Sequence, residues 1–267
     1  MPFVSANGIR LAYERTGQGE CVLLIMGSAA GGNVWTTHQT PALNRAGYQT
    51  ITFDNRGMPP SDVPPGIYSL ADMAADTEGL IEALDAGPCR IIGASLGAMV
   101  AQELMISRPD LVECCVLIAT RARSDAVRRA LALADRALAH SGIQLPPVYN
   151  AATSVLRMFS PVTLNNEAAI SMWLDIFELS GGRAAAAGGQ AGADLTSDRR
   201  DVLRQINVPC RVIAFADDLI CPPHLSAEVA DVIPECDFVE ISACGHLGYL
   251  ERPEEVNLAI IEFLDKY

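Results

Sequence analysis

The chain has 267 residues, half of them hydrophobic, with a formal charge of −13 and a pI near 4.7; that length can bury one large core carrying an insertion. The acidity excludes a nucleic-acid surface, which needs clustered cations against phosphate, and favours a neutral or apolar small molecule as partner. No apolar run reaches membrane-spanning length, and the first residues lack a basic stretch followed by an apolar core, so a cytoplasmic protein with no membrane partner is expected.

Residues 3–13 (FVSANGIRLAY) form two short alternating runs joined at Asn7-Gly8. That dipeptide predicts a tight hairpin. Residues 21–26 (CVLLIM) are continuously apolar, as in a strand buried on both faces, and lead into the glycine-rich loop Gly27-Ser28-Ala29-Ala30-Gly31-Gly32. The loop matches neither GxxxxGK[ST] nor GxGxxG, so it reads as bringing a backbone amide to the site rather than as a phosphate cradle. A strand over 48–53 (YQTITF) follows Gly47 and runs into Asp54-Asn55-Arg56-Gly57, a turn expected to brace neighbouring loops. Residues 69–84 open on Ser-x-x-Asp and repeat apolar residues at helical spacing, which predicts a capped helix.

The stretch 89–103 (CRIIGASLGAMVAQE) carries the clearest signal: an apolar run, then Gly93-Ala94-Ser95-Leu96-Gly97, then an unbroken helical pattern. A G-x-S-x-G between strand and helix marks a reversal so tight that side chains at the glycines would collide with it. The serine is then lifted to the carboxyl end of the sheet, beside the first amides of the next helix. Another buried strand is expected over 111–119 (LVECCVLIA). Three rounds of strand and helix predict a parallel sheet.

From 121 to about 200 no strand is expected. Ser124 is predicted to cap a helix ending near Gly142, with further helices over 150–159 and 167–179. This stretch reads as a helical lid, residues 121–200, on a core of residues 1–120 and 201–267. Met158, Phe159, Met172, Trp173 and Phe177 either line an apolar substrate pocket or pack the lid helices together. The small-residue run 184–193 is either a hinge or a close-packed helix. Core strands resume over 210–216 and 238–241, and a closing helix over 255–264. The eight cysteines (21, 89, 114, 115, 210, 221, 236, 244) contain no C-x-x-C pair. They read as reduced, mostly buried thiols, and no metal is expected.

A serine hydroxyl is a poor nucleophile at neutral pH and needs a base and a group to orient that base. Chain order offers Ser95, then Asp217 or Asp218, then His246, each just after a strand. The carboxyl edge of an open α/β sheet would gather all three.

With these pieces together the sequence resembles the α/β-hydrolase superfamily over nearly its whole length apart from the lid. The resemblance rests on Met26-Gly27-Ser28 where the family usually has His-Gly-x, on Asp54-Asn55-Arg56-Gly57, and on the elbow Gly93 to Gly97. It extends to Asp218-Leu219-Ile220-Cys221-Pro222 and to Gly245-His246 followed by Glu251-Arg252-Pro253. It implies a mostly parallel sheet flanked by helices, with Ser95 as nucleophile, His246 as base and Asp218 as acid. It also implies an oxyanion hole from the backbone N–H groups of Ser28 and Leu96, and no cofactor. Met26, Pro59 and Phe215 depart from the family pattern, and Met26 joins Met158, Met172, Trp173 and Phe177 as a candidate substrate contact. The nearest resemblance is to esterases, enol-lactone hydrolases and tailoring enzymes of bacterial secondary metabolism, which implies an ester, thioester or lactone of a small, largely apolar substrate, polyketide-like compounds included. Elimination of a carboxylate with His246 as base, a cofactor-free haloperoxidase and a non-catalytic receptor are the alternatives. The sequence leaves the oligomeric state open.

Overall fold

Each run of branched apolar residues becomes a strand because it can be covered on both faces. In the computed structural model, which describes residues 1–180, 187–192 and 197–267, β1 (Phe3–Ala6) and β2 (Ile9–Gly17) form the predicted hairpin. Asn7 and Gly8 turn it with φ of 46° and 77°, the left-handed pair that a two-residue hairpin loop requires. β3 (Cys21–Ile25), β4 (Gln49–Phe53), β5 (Cys89–Ala94), β6 (Val112–Ile118), β7 (Cys210–Phe215) and β8 (Cys236–Ile241) complete a sheet of order β1-β2-β4-β3-β5-β6-β7-β8. β2 runs antiparallel to β4, and the strands from β4 to β8 are parallel.

Successive residues of the central strands feed opposite layers, as the pleat demands. Leu23, Ile91 and Val212 pack with α2 (Leu70–Ala83) and α3 (Leu96–Ser107), whereas Leu24, Ile92 and Ile213 meet α1 (Gln39–Arg45) and the C-terminal helix Pro253–Leu264. α2 begins with the predicted capping box: Asp72 N–H donates to Ser69 Oγ, and the Ser69 N–H donates to Asp72.

Between β6 and β7 the described residues are helical: α4 (Ala126–Ser141), α5 (Pro147–Met158), α6 (Pro161–Leu164), α7 (Glu167–Leu179), a 3-10 segment Ala187–Gly192, and α8 (Arg200–Leu203). One expectation is corrected here. The cap of α4 is Asp125, whose side chain accepts from Arg128 N–H, and Ser124 precedes it as a buried residue. α5 starts at Pro147 rather than 150, since proline suits the first helical position. The expectation for 184–193 falls partly outside the described residues. α9 (Pro223–Val232), α10 (Gly248–Glu251) and α11 (Pro253–Leu264) finish the chain. All eight cysteines are free, six of them buried. No described helix is long and apolar enough to cross a membrane.

Candidate active site

β5 delivers the chain to Ser95, which sits at φ 53° and ψ −117°. A non-glycine residue there carries strain of about 1–3 kcal/mol, sustained only where the surroundings over-determine it. They do: Ser95 N–H donates to Ile118 O at 2.9 Å, and the flanking glycines leave no room for a relaxed turn. A Cβ on Gly93 would lie 2.5 Å from Gly97 O, and one on Gly97 would lie 2.2 Å from Ile25 O.

His246 follows β8 in a turn held from two sides. Gly245 N–H donates to Glu251 at 2.6 Å, and Leu247 N–H donates to Met158 O at 3.1 Å. Its Nε2 lies 3.0 Å from Ser95 Oγ and its Nδ1 lies 2.8 Å from Asp218 Oδ2. A carboxylate at Nδ1 fixes the proton on that nitrogen, leaving Nε2 to accept the serine hydroxyl. The carboxylate is Asp218; Asp217 uses its N–H to reach Cys244 O.

Asp218 is 2% exposed, and its Oδ1 accepts from the N–H groups of Ile220 and Cys221 at 2.7 and 2.9 Å. Burial alone would raise its pKa; the facing imidazole and these donors outweigh that and hold it below the ordinary carboxylate value. Two arginines from the insertion brace the same loop. Arg121 donates to Ile220 O at 2.9 Å. Arg128, paired with Asp125, donates to Leu219 O at 2.5 Å.

On the other side of Ser95 the glycine-rich loop comes close: a Cβ on Gly27 would lie 3.2 Å from Ser95 Cβ. Among the described residues no acceptor meets the Ser28 N–H. Leu96 is the first residue of α3, so its N–H has no acceptor within the helix. The Asp54 to Gly57 turn braces the loop, as expected. Gly32 N–H donates to Asp54 at 2.8 Å, Asn55 donates to Met26 O at 3.0 Å, and Arg56 is held by Asp76 through bonds of 2.5 and 2.6 Å. Among the described residues no group of three or more His, Cys, Asp or Glu side chains is placed to hold a metal ion.

The family model described as alpha/beta hydrolase fold matches residues 20–253. The chain belongs to the α/β-hydrolase family. The putative non-heme bromoperoxidase BpoC of Mycobacterium tuberculosis is 42% identical over 257 residues, 96% of this chain and 97% of that one. Its crystal structure superposes with a TM-score of 0.90 at 41% identity, covering 96% of both chains. The 3-oxoadipate enol-lactonase 2 of Acinetobacter baylyi is 26% identical over 269 residues, 99% of this chain and 96% of its own. A thermophilic esterase from Thermogutta terrifontis, solved with malate bound, has a TM-score of 0.82 at 30% identity and covers 100% of this chain and 99% of its own.

Within this α/β hydrolase the remaining candidates separate. Trp173 packs tilted against Phe159 and Phe177 meets it edge to face, with centroids 4.9 and 6.1 Å apart. Met158 is half-buried and gives its carbonyl to the His246 turn. Met172 lies on the exposed side of α7, 53% accessible. Met26 is buried in one cluster with Trp35. Phe215 is also fully buried, its ring filling the space left by Gly248, where a Cβ would lie 2.5 Å away.

Sequence reading missed Arg121 and Arg128, and it singled out Glu251 only as part of a motif. Glu251 accepts from Gly245 N–H, Ser160 N–H, Ser160 Oγ and Thr163 Oγ1. It therefore ties the His246 turn to the start of α6. A carboxylate five residues after the histidine was the available signal; its partners Ser160 and Thr163 lie 91 and 88 residues away in sequence.

Proposed function

We propose that this protein is a serine hydrolase that cleaves an ester, thioester or lactone of a small, largely apolar substrate through an acyl-enzyme on Ser95. The observation that carries the reading is the unbroken chain from Ser95 Oγ to His246 Nε2 at 3.0 Å and from His246 Nδ1 to Asp218 at 2.8 Å. His246 removes the hydroxyl proton as Ser95 attacks the carbonyl carbon, and Asp218 stabilises the imidazolium that forms. The N–H groups of Ser28 and Leu96 receive the charge developing on the carbonyl oxygen. His246 then protonates the departing alcohol or thiol, and a water activated by the same ring releases the acid and restores Ser95.

A second reading is favoured by the 42% identical relative named a putative non-heme bromoperoxidase. Hydrogen peroxide in place of water at the acyl-enzyme would release a peracid and free Ser95. The peracid would then pass one oxygen to bromide, giving the acid and hypobromous acid. This variant needs no residue beyond those above.

Turnover in heavy-oxygen water tests the proposal. One labelled oxygen per released acid is expected, with Ser95→Ala inactive and unreactive toward a fluorophosphonate probe. An unlabelled acid formed together with an alkene would replace hydrolysis by elimination with His246 as base, because both carboxylate oxygens would then come from substrate. Monochlorodimedone bromination on adding peroxide, bromide and a short carboxylic acid, absent in Ser95→Ala, would establish the second reading.

A further inference from the structure

One buried polar side chain beside the site has no part in the acyl-enzyme steps. Gln190 lies in the Ala187–Gly192 segment, beyond the helices of the insertion, and is 1% exposed. Its Oε1 accepts from Ala29 N–H at 2.9 Å and from Ser28 Oγ at 3.4 Å; its Nε2 donates to Arg56 O at 2.8 Å. The amide orientation is settled by these partners, since a backbone N–H only donates and a carbonyl only accepts. A single side chain thus spans the glycine-rich loop and the Asp54 to Gly57 turn.

The segment that carries it is seated closely. Tyr68 N–H donates to Gly189 O at 2.9 Å. A Cβ on Gly189 would lie 2.5 Å from the Tyr68 ring and 2.9 Å from Gly66 O. The Tyr68 ring in turn lies under the Arg56 guanidinium, 5.4 Å from its centroid.

The loop needs an outside hold. Ala29 adopts φ 58°, a left-handed conformation that costs an alanine roughly 1–2 kcal/mol. Its N–H belongs to the peptide plane that follows Ser28, and the Ser28 N–H belongs to the plane before it. Both planes pivot on one Cα. Without the Gln190 acceptor this partly buried N–H loses a hydrogen bond, worth about 0.5–1.5 kcal/mol, and the loop relaxes by rotating these planes together.

We propose that Gln190 is a positioning residue for the oxyanion hole: it fixes the Ser28 to Ala29 backbone so that the Ser28 N–H faces the reacting carbonyl, and it makes that geometry depend on the seating of the 187–192 segment. The inference rests on the acyl-enzyme reading above. Gln190 touches neither substrate nor Ser95; it acts through Ser28. An amide donor misplaced in this way weakens transition-state binding and leaves ground-state binding nearly intact.

The test compares the full-length wild type with Gln190→Met, which preserves shape and removes both hydrogen bonds, on a short activated ester. Expected is a fall in kcat of roughly 10- to 100-fold, with KM within about threefold. A boronic acid that mimics the tetrahedral intermediate should lose affinity by a similar factor, and the shape of the pH–rate profile should not change. Gly189→Ala unseats the segment without altering Gln190 and should lower kcat in the same sense. It keeps the proposal open to refutation should Gln190→Met fail to fold. A folded Gln190→Met or Gly189→Ala with wild-type kcat, or with the loss confined to KM, overturns the role given to Gln190. Failure of the wild type to react with a fluorophosphonate at Ser95 would instead overturn the acyl-enzyme reading itself.

Discussion

The elbow and the insertion are both helical where they meet the site, yet they are held by opposite means. In α3, nine of twelve residues are buried, whereas α7 has no buried residue and α5 has only Ala151 and Val155. The insertion is pinned instead by a few polar ties: Glu251 to Ser160 and Thr163, Arg128 to Leu219 O, and Arg199 to Glu103. Every one of these ties reaches the core, and two of them hold the loops that carry His246 and Asp218. The elbow is therefore held by close packing, whereas the insertion is joined to the Asp218 and His246 loops through these few polar ties.

Substitutions can break that division. The largest effect should come from the hydrogen-bonded core of the site: Asp218→Asn is expected to lower kcat by about 10⁴-fold, because the amide reverses the tautomer of His246. Asp217→Asn should cost only a few-fold, and steady-state kinetics on a short ester would check the ranking. A reversed order would give the orienting role to Asp217 and overturn its assignment to Asp218.

Packing should show next. In Gly97→Ala the new methyl meets Ile25 O at 2.2 Å, so the elbow and β3 must separate. A loss of about 3 kcal/mol in urea unfolding is expected, together with lost activity. Retained stability would mean that the elbow is less tightly held than its contacts imply.

The insertion should answer differently. Trp173→Ala removes the ring packed against Phe159 and should change the preference between short and long acyl chains roughly tenfold, while changing turnover of the smallest ester little. Met172→Ala, at an exposed position, should leave that preference within about twofold. Equal loss on all esters in Trp173→Ala would reduce the aromatic cluster to a packing role.

The smallest effect concerns acid stability. The folded pKa of Asp218 lies below its ordinary value of 3.8. A depressed carboxylate stabilises the fold above its unfolded pKa, and that contribution is lost as pH falls through the folded value. Urea midpoints taken from about pH 5 down to pH 2 should thus fall less steeply in Asp218→Asn than in the wild type. Parallel slopes would show that the ionised carboxylate is not favoured by folding.

Local chemistry made much of this legible in the sequence. Asn7-Gly8 can turn a hairpin by itself, Ser69 and Asp72 cap each other within one turn of helix, and Gly93 to Gly97 encode a reversal that few other residues permit. The order Ser95, Asp218, His246 could be read because each follows a strand, and parallel strands end at one edge. Helix bounds were less legible in the insertion. Its caps compete over neighbouring residues, as Ser124 and Asp125 do, and exposure gives no core to arbitrate.

What the sequence by itself determined is the sheet, the elbow and the chain order of the candidate groups, because strands and elbow follow from short-range sterics and from apolar runs that admit one burial pattern, and each candidate follows a strand. Chain order left Asp217 and Asp218 open and the family resemblance pointed to Asp218; the tertiary structure places the Asp218 carboxylate 2.8 Å from the imidazole. It also decided which distant groups hold the loops in place: Arg121 and Arg128 on the acid loop, Glu251 on the His246 turn and Gln190 on the Ser28 loop. Gln190 lies 161 residues from Ala29. A hydrogen bond across that separation leaves no periodicity or spacing in the chain, since it forms only after the sheet has brought both loops to the same edge.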